Sequence, residues 1–566
     1  MLKNKREKIY TILIGGQAGD GAREAGVNLA RLLCKMGYYV FASMEYPSLI
    51  RGGHNFCRVS FSKEKIYSDY RELDAIIALN QEIVDIHRNE LKKTGVIFFD
   101  NNLNSVSGKS GQLISLPISS YAKELNAPTL ARTAVALGSL CYYYDLPLED
   151  LNLVFTEIFG TKAQINIDLA KKGFDYLQDK NFDKIKFDKP DKKIKGQIID
   201  GNAATGEGMV AAGMKNYIAY PMTPATSVLH HLAKQASKYD LKVTQAESEV
   251  AVINMVLGSA FAGTRTATGT SGGGFALMTE ALSMAGIAEI PTVVVESQRP
   301  GPSTGVPTRT AQGDLQFARQ VLGEFPRIVL APGDQQEAYE LGGKAMNLAW
   351  QYQLPVMLML DKHLSESLSN ADLKKIKIKP EKIKMGKGGK NYVRYAFSKD
   401  GVSPLCFPGT PDTIVKANSY EHSEDGLISE SGEMTVEMFD KRFAKMKNLE
   451  KEITKMKGVR IYGDKKSKNV VIFWGSTKGA VLEAIKHTKK SIKAVQVLTL
   501  EPLPTKSLIG VLKGAKKIAD IELNYTAALA SLIREKIGIE IKNKILKYDT
   551  YAFEPMELAK KIDKIF

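Results

Sequence analysis

Residues able to bind an anion and to move a proton are concentrated between positions 220 and 309. Glu249 supplies a carboxylate that can accept or donate a proton, and Thr223 supplies a hydroxyl beside prolines that stiffen its loop. Arg299 and Arg309 carry the planar guanidinium group that binds carboxylates through paired hydrogen bonds. These residue types predict a site that binds an organic acid and transfers a proton.

Each of these polar segments follows an apolar run typical of a buried strand. The segments are Tyr220-Pro-Met-Thr-Pro-Ala-Thr226, Gln245-Ala-Glu-Ser-Glu249, Thr268-Gly-Thr-Ser-Gly-Gly-Gly-Phe-Ala-Leu-Met278 and Glu296-Ser-Gln-Arg-Pro-Gly-Pro-Ser-Thr-Gly-Val-Pro-Thr-Arg309. Ligands bind at the carboxyl ends of the strands in an open parallel sheet. The four segments therefore predict one site at one edge of such a sheet.

In their order and spacing, the four segments resemble the alpha subunits of the 2-oxoacid:ferredoxin oxidoreductases, and the resemblance extends over nearly the whole chain. It is strongest to the 2-oxoglutarate type, in which a gamma domain is fused in front. The chain departs from the family patterns at Met222, Gly269, Gly273 and Ala276. The resemblance implies an α/β fold of three consecutive open, mostly parallel-sheet domains: a gamma domain, a thiamine diphosphate pyrimidine-type domain and a transketolase C-terminal-like domain.

The resemblance also assigns roles to individual residues. Glu249, which lies nine residues before Gly258-Ser259, matches the glutamate beside the aminopyrimidine ring of thiamine diphosphate, where a buried carboxylate shares a ring-nitrogen proton. Glu247 is the alternative, and either residue could be an ordinary carboxylate at a helix start. The residues expected to line the cofactor together with Glu249 are Tyr220, Pro221, Thr270, Ser271 and Gly272.

The implied reaction is oxidative decarboxylation of a 2-oxoacid, with 2-oxoglutarate ranked above pyruvate, to an acyl-coenzyme A and CO2, with electrons passed to ferredoxin. Thr223 and Arg299 would bind the 2-oxoacid, and Arg309 is either a second contact or an exposed loop arginine. The chain contains no compact Gly-Asp-Gly…Asn-Asn motif for diphosphate and metal, since Gly19-Asp20-Gly21 and Asn101-Asn102 lie 80 positions apart, and its four cysteines are dispersed. A separate beta subunit is therefore expected to supply Mg2+, the diphosphate site and the iron–sulfur cluster, in a heterodimer or a dimer of heterodimers.

A second glycine-rich loop lies near the N-terminus, between an apolar strand at 9–14 and a helix predicted over 22–36. A phosphate can bind at such a helix N-terminus, although a tight strand-to-helix turn explains the same pattern. The candidate residues are Gly15, Gly16, Gln17, Gly19 and Gly21. Together with the Arg51-Gly-Gly segment, the loop resembles the gamma domain of the family, which implies a role in assembly and in handling coenzyme A.

Charge and composition divide the chain into predicted domains. A gamma-like domain is expected at 1–178, a charged linker at 179–195, the pyrimidine-side thiamine diphosphate domain at 196–373, a connector with an irregular segment at 374–468, and the transketolase C-terminal-like domain at 469–566. The repeated charges of 179–195 cannot bury a core. Asn202 is a candidate cap for the first helix of the second domain.

The net charge of +16 comes from scattered lysines with few aromatic residues among them, which argues against a nucleic-acid surface and favours acidic partners such as a ferredoxin. No apolar run is long enough to cross a membrane, and unpaired cysteines fit a reducing cytoplasm. Glu421 and His422 have no third ligand near them, so no metal site is expected in this chain. Two other functions stay open: a self-sufficient thiamine diphosphate synthase, which would need the missing diphosphate half, and a non-catalytic scaffold subunit.

Overall fold

The computed structural model describes residues 8–49, 52–103, 111–192, 194 and 196–566. By their internal contacts these residues form two compact units. The first contains the described residues up to Ile199, with Ser367–Asp372 and Glu554–Met556. The second contains Asp200–Glu366, Leu373–Phe553 and Glu557–Phe566. The second unit holds two of the three predicted domains, whose boundaries stay predictions.

Strands and helices alternate along most of the chain. The strands are β1 (Tyr10–Ala18), β2 (Tyr39–Glu45), β3 (Gly52–Ser62), β4 (Leu73–Ala78), β5 (Leu91–Asp100), β6 (Gln112–Leu116), β7 (Gln197–Asp200), β8 (Asn216–Ala219), β9 (Lys242–Gln245), β10 (Thr266–Thr270), β11 (Thr292–Gln298), β12 (Ile328–Leu330), β13 (Pro355–Asp361), β14 (Leu368–Ala371), β15 (Val459–Gly463), β16 (Asn469–Trp474), β17 (Lys493–Val497), β18 (Thr499–Glu501), β19 (Lys517–Glu522) and β20 (Asn543–Leu546). The α-helices are α1 (Ala22–Lys35), α2 (Gln81–His87), α3 (Ile118–Glu124), α4 (Thr133–Tyr143), α5 (Leu148–Phe159), α6 (Gln164–Asp179), α7 (Gly201–Ala211), α8 (Thr226–Tyr239), α9 (Glu249–Phe261), α10 (Gly272–Ile287), α11 (Leu315–Gln320), α12 (Gln335–Tyr352), α13 (Lys362–Glu366), α14 (Gly432–Lys455), α15 (Thr477–His487), α16 (Thr505–Leu512), α17 (Ala528–Ile537) and α18 (Pro555–Ile565).

The first unit is built on an eight-stranded sheet in the order β6-β5-β4-β1-β3-β2-β14-β7. The β6–β5, β5–β4 and β4–β1 pairs are parallel. The β1–β3, β3–β2 and β2–β14 pairs are antiparallel. Ile12, Leu13 and Ile14 of β1 are fully buried because both faces of the sheet are covered. Helices α4 and α6 cross closely: a Cβ on Gly138 would lie 1.8 Å from the carbonyl oxygen of Ala170, so only glycine fits there.

The second unit contains two sheets that share one hydrophobic core. The larger has the order β18-β12-β13-β11-β10-β8-β9, with only the β12–β18 pair antiparallel within the described ranges, and the smaller has the order β15-β17-β16-β19-β20. Val293 of β11 and Val495 of β17 belong to the same core. The predicted α/β class, with three open and mostly parallel sheets, is confirmed.

The stretch 374–468, predicted as a connector with an irregular segment, contains helix α14 and strand β15. The buried face of α14 carries Lys441, Arg442 and Lys445 between apolar positions, so the helical pattern is hidden in the sequence. Lys441 and Lys445 each place Nζ 2.5 Å from a carboxylate oxygen of Glu289. Charge pairing therefore replaces the apolar stripe expected of a buried helix. Among the described residues, no helix is both long and apolar enough to span a membrane.

Candidate active site

Glu249 is the first residue of α9, and its carboxylate is buried. Ser248 caps this helix, since its hydroxyl accepts a hydrogen bond from the N–H of Ala251 at 3.2 Å. Glu249 is 5 % exposed, and its Oε1 has no hydrogen-bond partner among the described residues, whereas Glu247 is exposed. Buried polar groups in native proteins nearly always have partners, so this oxygen is suited to receive a ligand.

Gly274, in the first turn of α10, leaves room for this carboxylate. A Cβ at position 274 would lie 2.1 Å from Thr270 Oγ1 and 2.7 Å from Glu249 Oε1. Thr270 ends β10, and its hydroxyl lies 3.7 Å from Met222 Sδ in the proline-rich loop after β8. The carboxyl ends of neighbouring parallel strands thus bring three of the predicted segments together.

Two predicted substrate-binding residues are in direct contact. Arg299 Nη1 donates a hydrogen bond to the backbone carbonyl of Thr223 at 2.8 Å. Asn202 holds the same loop, because its Nδ2 donates to the carbonyl of Pro224 at 2.8 Å. The prediction that Asn202 caps α7 was wrong: Asp200 is the N-cap, and its carboxylate accepts from the N–H of Ala203 at 2.7 Å.

The other residues predicted to line a cofactor lie in the loops after β8 and β10. Tyr220 is 38 % exposed, and Pro221 beside it is half-buried. Ser271 is the fully buried N-cap of α10, and Gly272 is the first residue of that helix. In the part of the chain that the structure describes, the Ser271 hydroxyl has no hydrogen-bond partner. A second buried polar group without a partner in the described chain therefore lies next to Thr270.

Two carboxyl groups that the sequence analysis missed lie close to Arg299. Glu296 is fully buried, no N–H or O–H group within the described ranges donates a hydrogen bond to its carboxylate, and it is the in-register neighbour of Thr270. Asp314 Oδ2 would lie 2.9 Å from a Cβ on Gly272. A signal for Glu296 exists in the sequence, since a glutamate follows three valines in an otherwise buried strand.

The ionisation of these groups is linked. Burial, followed by the charge of Asp314, raises the pKa of Glu296 well above its ordinary value. Burial also raises the pKa of Asp314, against the opposing effect of Arg299. Burial lowers the pKa of the Arg299 guanidinium, opposed by the charges of Asp314, Glu296 and Glu249, in that order. Arg299 thus lies in a field of three carboxyl groups.

Arg309 lies in a different setting from Arg299. Its guanidinium carbon is 4.5 Å from the ring centroid of Tyr551, and its backbone N–H donates a hydrogen bond to the carbonyl of Val306 at 3.1 Å. A guanidinium over an aromatic ring is a favourable cation–π arrangement. The suggested second substrate contact through Arg309 stays a prediction.

In the first unit, the glycine-rich loop is closed by its own carboxylate. Gly15 and Gly16 belong to β1, while Gly19 and Gly21 have φ angles of 92° and 86°, where glycine is favoured. Asp20 accepts a hydrogen bond from the N–H of Gln17 at 3.0 Å and pairs with Arg132 at 2.7 Å. The Asp20 carboxylate therefore already accepts a hydrogen bond from the Gln17 N–H, one of the groups predicted to bind a phosphate. Arg51 of the neighbouring Arg-Gly-Gly segment lies outside the described residues.

Glu421 and His422 are held by structural contacts. Glu421 binds Arg442 through both carboxylate oxygens, at 2.8 and 2.6 Å, and His422 Nδ1 lies 3.1 Å from the carbonyl oxygen of Tyr420. Burial lowers the pKa of His422. Across the described residues, no group of three or more His, Cys, Asp and Glu side chains could hold a metal ion.

Comparison with known proteins places this arrangement in a class. The family described as "Pyruvate flavodoxin/ferredoxin oxidoreductase, thiamine diP-bdg" matches residues 207–441, and "Pyruvate ferredoxin/flavodoxin oxidoreductase" matches residues 11–176. The second unit thus contains a thiamine diphosphate-binding domain. The 2-oxoacid:ferredoxin oxidoreductase subunit alpha of Sulfolobus sp is 30% identical over 98% of this chain and 96% of that protein. This chain belongs to the family of 2-oxoacid:ferredoxin oxidoreductase alpha subunits, which confirms the predicted family and its class of oxidoreductase.

Two further proteins similar to this chain are named for 2-oxoglutarate. The 2-oxoglutarate oxidoreductase subunit KorA of Mycobacterium tuberculosis is 26% identical over 95% of this chain and 89% of that protein. The solved 2-oxoglutarate:ferredoxin oxidoreductase from Magnetococcus marinus, with 2-oxoglutarate, coenzyme A and succinyl-CoA bound, matches with a TM-score of 0.89 and 29% identity over 99% of both chains. The fold of this chain is therefore the same as that of the matched chain over nearly its whole length.

Proposed function

We propose that this chain is the alpha subunit, with a fused gamma domain, of an enzyme that oxidatively decarboxylates a 2-oxoacid to an acyl-coenzyme A and CO2 and passes the electrons to ferredoxin. One observation carries the proposal. The buried Glu249 carboxylate has an oxygen without a hydrogen-bond partner in the described chain, and it faces the space that Gly274 leaves beside Thr270. A proton-transfer group in such a position needs a ligand to complete it.

The residues around Glu249 fit thiamine diphosphate. Bound there, the cofactor would supply the carbon nucleophile that attacks the 2-oxoacid. Glu249 holds and returns a proton at a ring nitrogen of the aminopyrimidine, and its burial keeps water from competing for that proton. Ser271 offers a second polar group next to Thr270. Tyr220 and Pro221 belong to the loop whose Met222 Sδ lies 3.7 Å from the Thr270 hydroxyl.

Arg299 is the proposed anchor for the substrate carboxylate. A guanidinium has five N–H donors, and the bond from Nη1 to the Thr223 carbonyl uses one of them. The remaining donors can bind a carboxylate through two parallel hydrogen bonds, while the Thr223 hydroxyl lies in the same loop. Arg309 is the proposed second contact. We rank 2-oxoglutarate above pyruvate, because two of the relatives described above are named for 2-oxoglutarate, whereas the Sulfolobus relative is named for 2-oxoacids in general.

A beta subunit completes the proposed enzyme. It would bring Mg2+, the diphosphate site and the iron–sulfur cluster, since this chain has neither the diphosphate motif nor clustered cysteines. The assembly would be a heterodimer or a dimer of heterodimers. The net charge of +16 favours an acidic electron acceptor such as ferredoxin. In the first unit, a coenzyme A phosphate at the Gly15–Gly21 loop would replace the Asp20 carboxylate at Gln17.

The test compares this chain alone with the complex formed on coexpression with its partner chain. Calorimetry should detect thiamine diphosphate binding to the complex and negligible binding to the isolated chain. Only the complex should contain iron and reduce ferredoxin with a 2-oxoacid and coenzyme A. Tight cofactor binding by the isolated chain would favour a self-sufficient enzyme, and a complex that lacks all 2-oxoacid-dependent reduction would favour a scaffold.

A further inference from the structure

We propose that Glu296 and Asp314 hold a single proton between them and, as a pair with one negative charge, position the guanidinium of Arg299 for the substrate. This inference rests on the proposed role of Arg299 and names two positioning residues for it. Neither residue needs to touch the substrate. Glu296 ends the valine run of β11, and Asp314 lies just before α11.

The Asp314 carboxylate does not have the usual role of an aspartate at a helix N-terminus. Asp314 is the N-cap of α11, yet within the described chain its side chain makes no capping hydrogen bond, although aspartate at an N-cap usually does. Its carboxylate is turned toward Gly272 at the start of α10, where a Cβ would meet Oδ2 at 2.9 Å. The Asp314 N–H is fixed separately, because it donates to Gln298 Oε1 at 3.1 Å. A side chain that neither caps its helix nor reaches solvent freely is available to act on Arg299.

Glu296 is the second half of the arrangement. It is fully buried, and in the described part of the chain no N–H or O–H group donates a hydrogen bond to either oxygen; its hydrogen-bonding neighbour is the Asp314 carboxyl group. A buried carboxylate left ionised and unpaired would be strongly unfavourable, so one of the two groups must be protonated. The charged groups acting on the pair are Arg299 from the loop after β11 and, on Glu296, Asp361 from β13, while Glu249 from α9 acts on Arg299. Burial and the neighbouring acids raise the pKa of Glu296 well above its ordinary value, which is the direction that favours a proton held there.

One negative charge is the value that suits Arg299. With two, the guanidinium would be attracted to the pair and away from an incoming carboxylate. With none, only the bond to the Thr223 carbonyl would hold it. The singly ionised pair anchors the cation from one side and leaves its positive charge for the substrate.

The test uses the complete complex with its partner chain and measures kcat and KM for the 2-oxoacid across pH. Asp314→Asn should raise KM about tenfold or more with a smaller change in kcat, because misplacement of a binding group is costly. Glu296→Gln keeps a neutral donor and should leave KM near the wild-type value at neutral pH. Wild-type KM should rise at high pH, where the shared proton leaves, and Glu296→Gln should abolish that rise. The control is Asp240→Asn, the same substitution at an exposed aspartate, and it should change neither kcat nor KM.

A double-mutant cycle decides whether Asp314 acts through Arg299. In an Arg299→Ala background, Asp314→Asn should add nothing to KM. If Asp314→Asn raises KM equally in both backgrounds, or not at all in the wild type, the inference is wrong although the proposed function stands. If Arg299→Ala leaves KM unchanged, the inference and the proposed role of Arg299 both fail. Independently of turnover, the infrared difference between wild type and Glu296→Gln at neutral pH should contain the C=O stretch of a protonated carboxylic acid, and its absence would overturn the shared proton.

Discussion

Arg299 Nη1 donates a hydrogen bond to the backbone carbonyl of Thr223 at 2.8 Å, so the loop after β8 and the loop after β11 are tied at the residues predicted to bind one substrate. The contact uses a backbone oxygen and leaves the Thr223 hydroxyl for another partner. β8 and β11 lie on either side of β10 and are both parallel to it, so both loops lie at one edge of the sheet. The tie explains how two segments 76 positions apart in the chain can act together.

Replacing Arg299 by Ala should raise the KM for the 2-oxoacid strongly. A charged, hydrogen-bonded group truncated at a desolvated site costs about 2–5 kcal/mol. Steady-state kinetics of the complex with its partner would measure the change. Reduction of the electron acceptor from pre-reduced clusters should be unaffected, since this step needs no 2-oxoacid. Arg299→Lys keeps the charge without the planar fork and should recover only part of the affinity. An unchanged KM in Arg299→Ala would remove Arg299 from the site.

Gly274 and Gly273 form a matched pair of glycines in the first turn of α10. A Cβ at Gly274 would lie 2.1 Å from Thr270 Oγ1 and 2.7 Å from Glu249 Oε1, so Gly274→Ala should displace the carboxylate and abolish most activity. A Cβ at Gly273 would meet nothing within 4 Å in the described chain, so Gly273→Ala should keep activity and stabilise the helix by about 0.5–1 kcal/mol. Activity and thermal unfolding of both variants would be compared. Equal activities would contradict the close approach of Glu249.

Much of the candidate site follows from short-range patterns in the sequence. The polar segments after β8, β10 and β11 stand where apolar runs end, and α/β topology then dictates that they meet. Glu249 could be distinguished from Glu247 by its family motif, and the buried and exposed positions of the two residues agree with that choice. The alternation of strands and helices in the last domain could also be predicted, because β16, β17 and β19 are short apolar strands separated by helices.

What the sequence could not predict depends on contacts between distant residues. The antiparallel pairing of β2 with β3 lies in a stretch interpreted only through its Arg-Gly-Gly motif. Helix α14 was missed because Lys441 and Lys445 are buried by pairing with Glu289, which lies over 150 positions earlier. Asp314 looks like an ordinary helix cap, and only its orientation toward Gly272 gives it another role. Contacts between residues so far apart in the chain produce no periodic pattern in the sequence.

The buried pairing of Glu289 with Lys441 and Lys445 should dominate the stability of the α14 region. Burial alone would raise the pKa of Glu289, but Lys445, Lys441 and Arg394 hold it below its ordinary value of 4.5. Stability from this carboxylate is therefore present above pH 4.5 and is lost as the pH falls below that value. Glu289→Gln leaves two buried cations unpaired and should cost about 3–5 kcal/mol at neutral pH, measured by denaturant unfolding. The exposed Glu430→Gln should stay within about 0.5 kcal/mol of wild type. If both variants lose stability equally on acidification, Glu289 is not the group responsible.

Glu249 and Glu247 provide the sharpest test, because they lie two positions apart with opposite environments. Glu249 is 5 % exposed with an unsatisfied oxygen among the described residues, whereas Glu247 is exposed. Glu249→Gln keeps the size and one acceptor but cannot share a proton, and loss of a positioned proton-transfer group typically costs about 10²–10⁴-fold in rate. The variant complex should assemble, keep its iron, and lose both exchange of the cofactor C2 proton, followed by NMR, and 2-oxoacid-dependent acceptor reduction. Glu247→Gln should retain most of both activities. Exchange at the wild-type rate in Glu249→Gln but not in Glu247→Gln would move the role by two residues, and wild-type rates in both would refute the thiamine diphosphate role of this site.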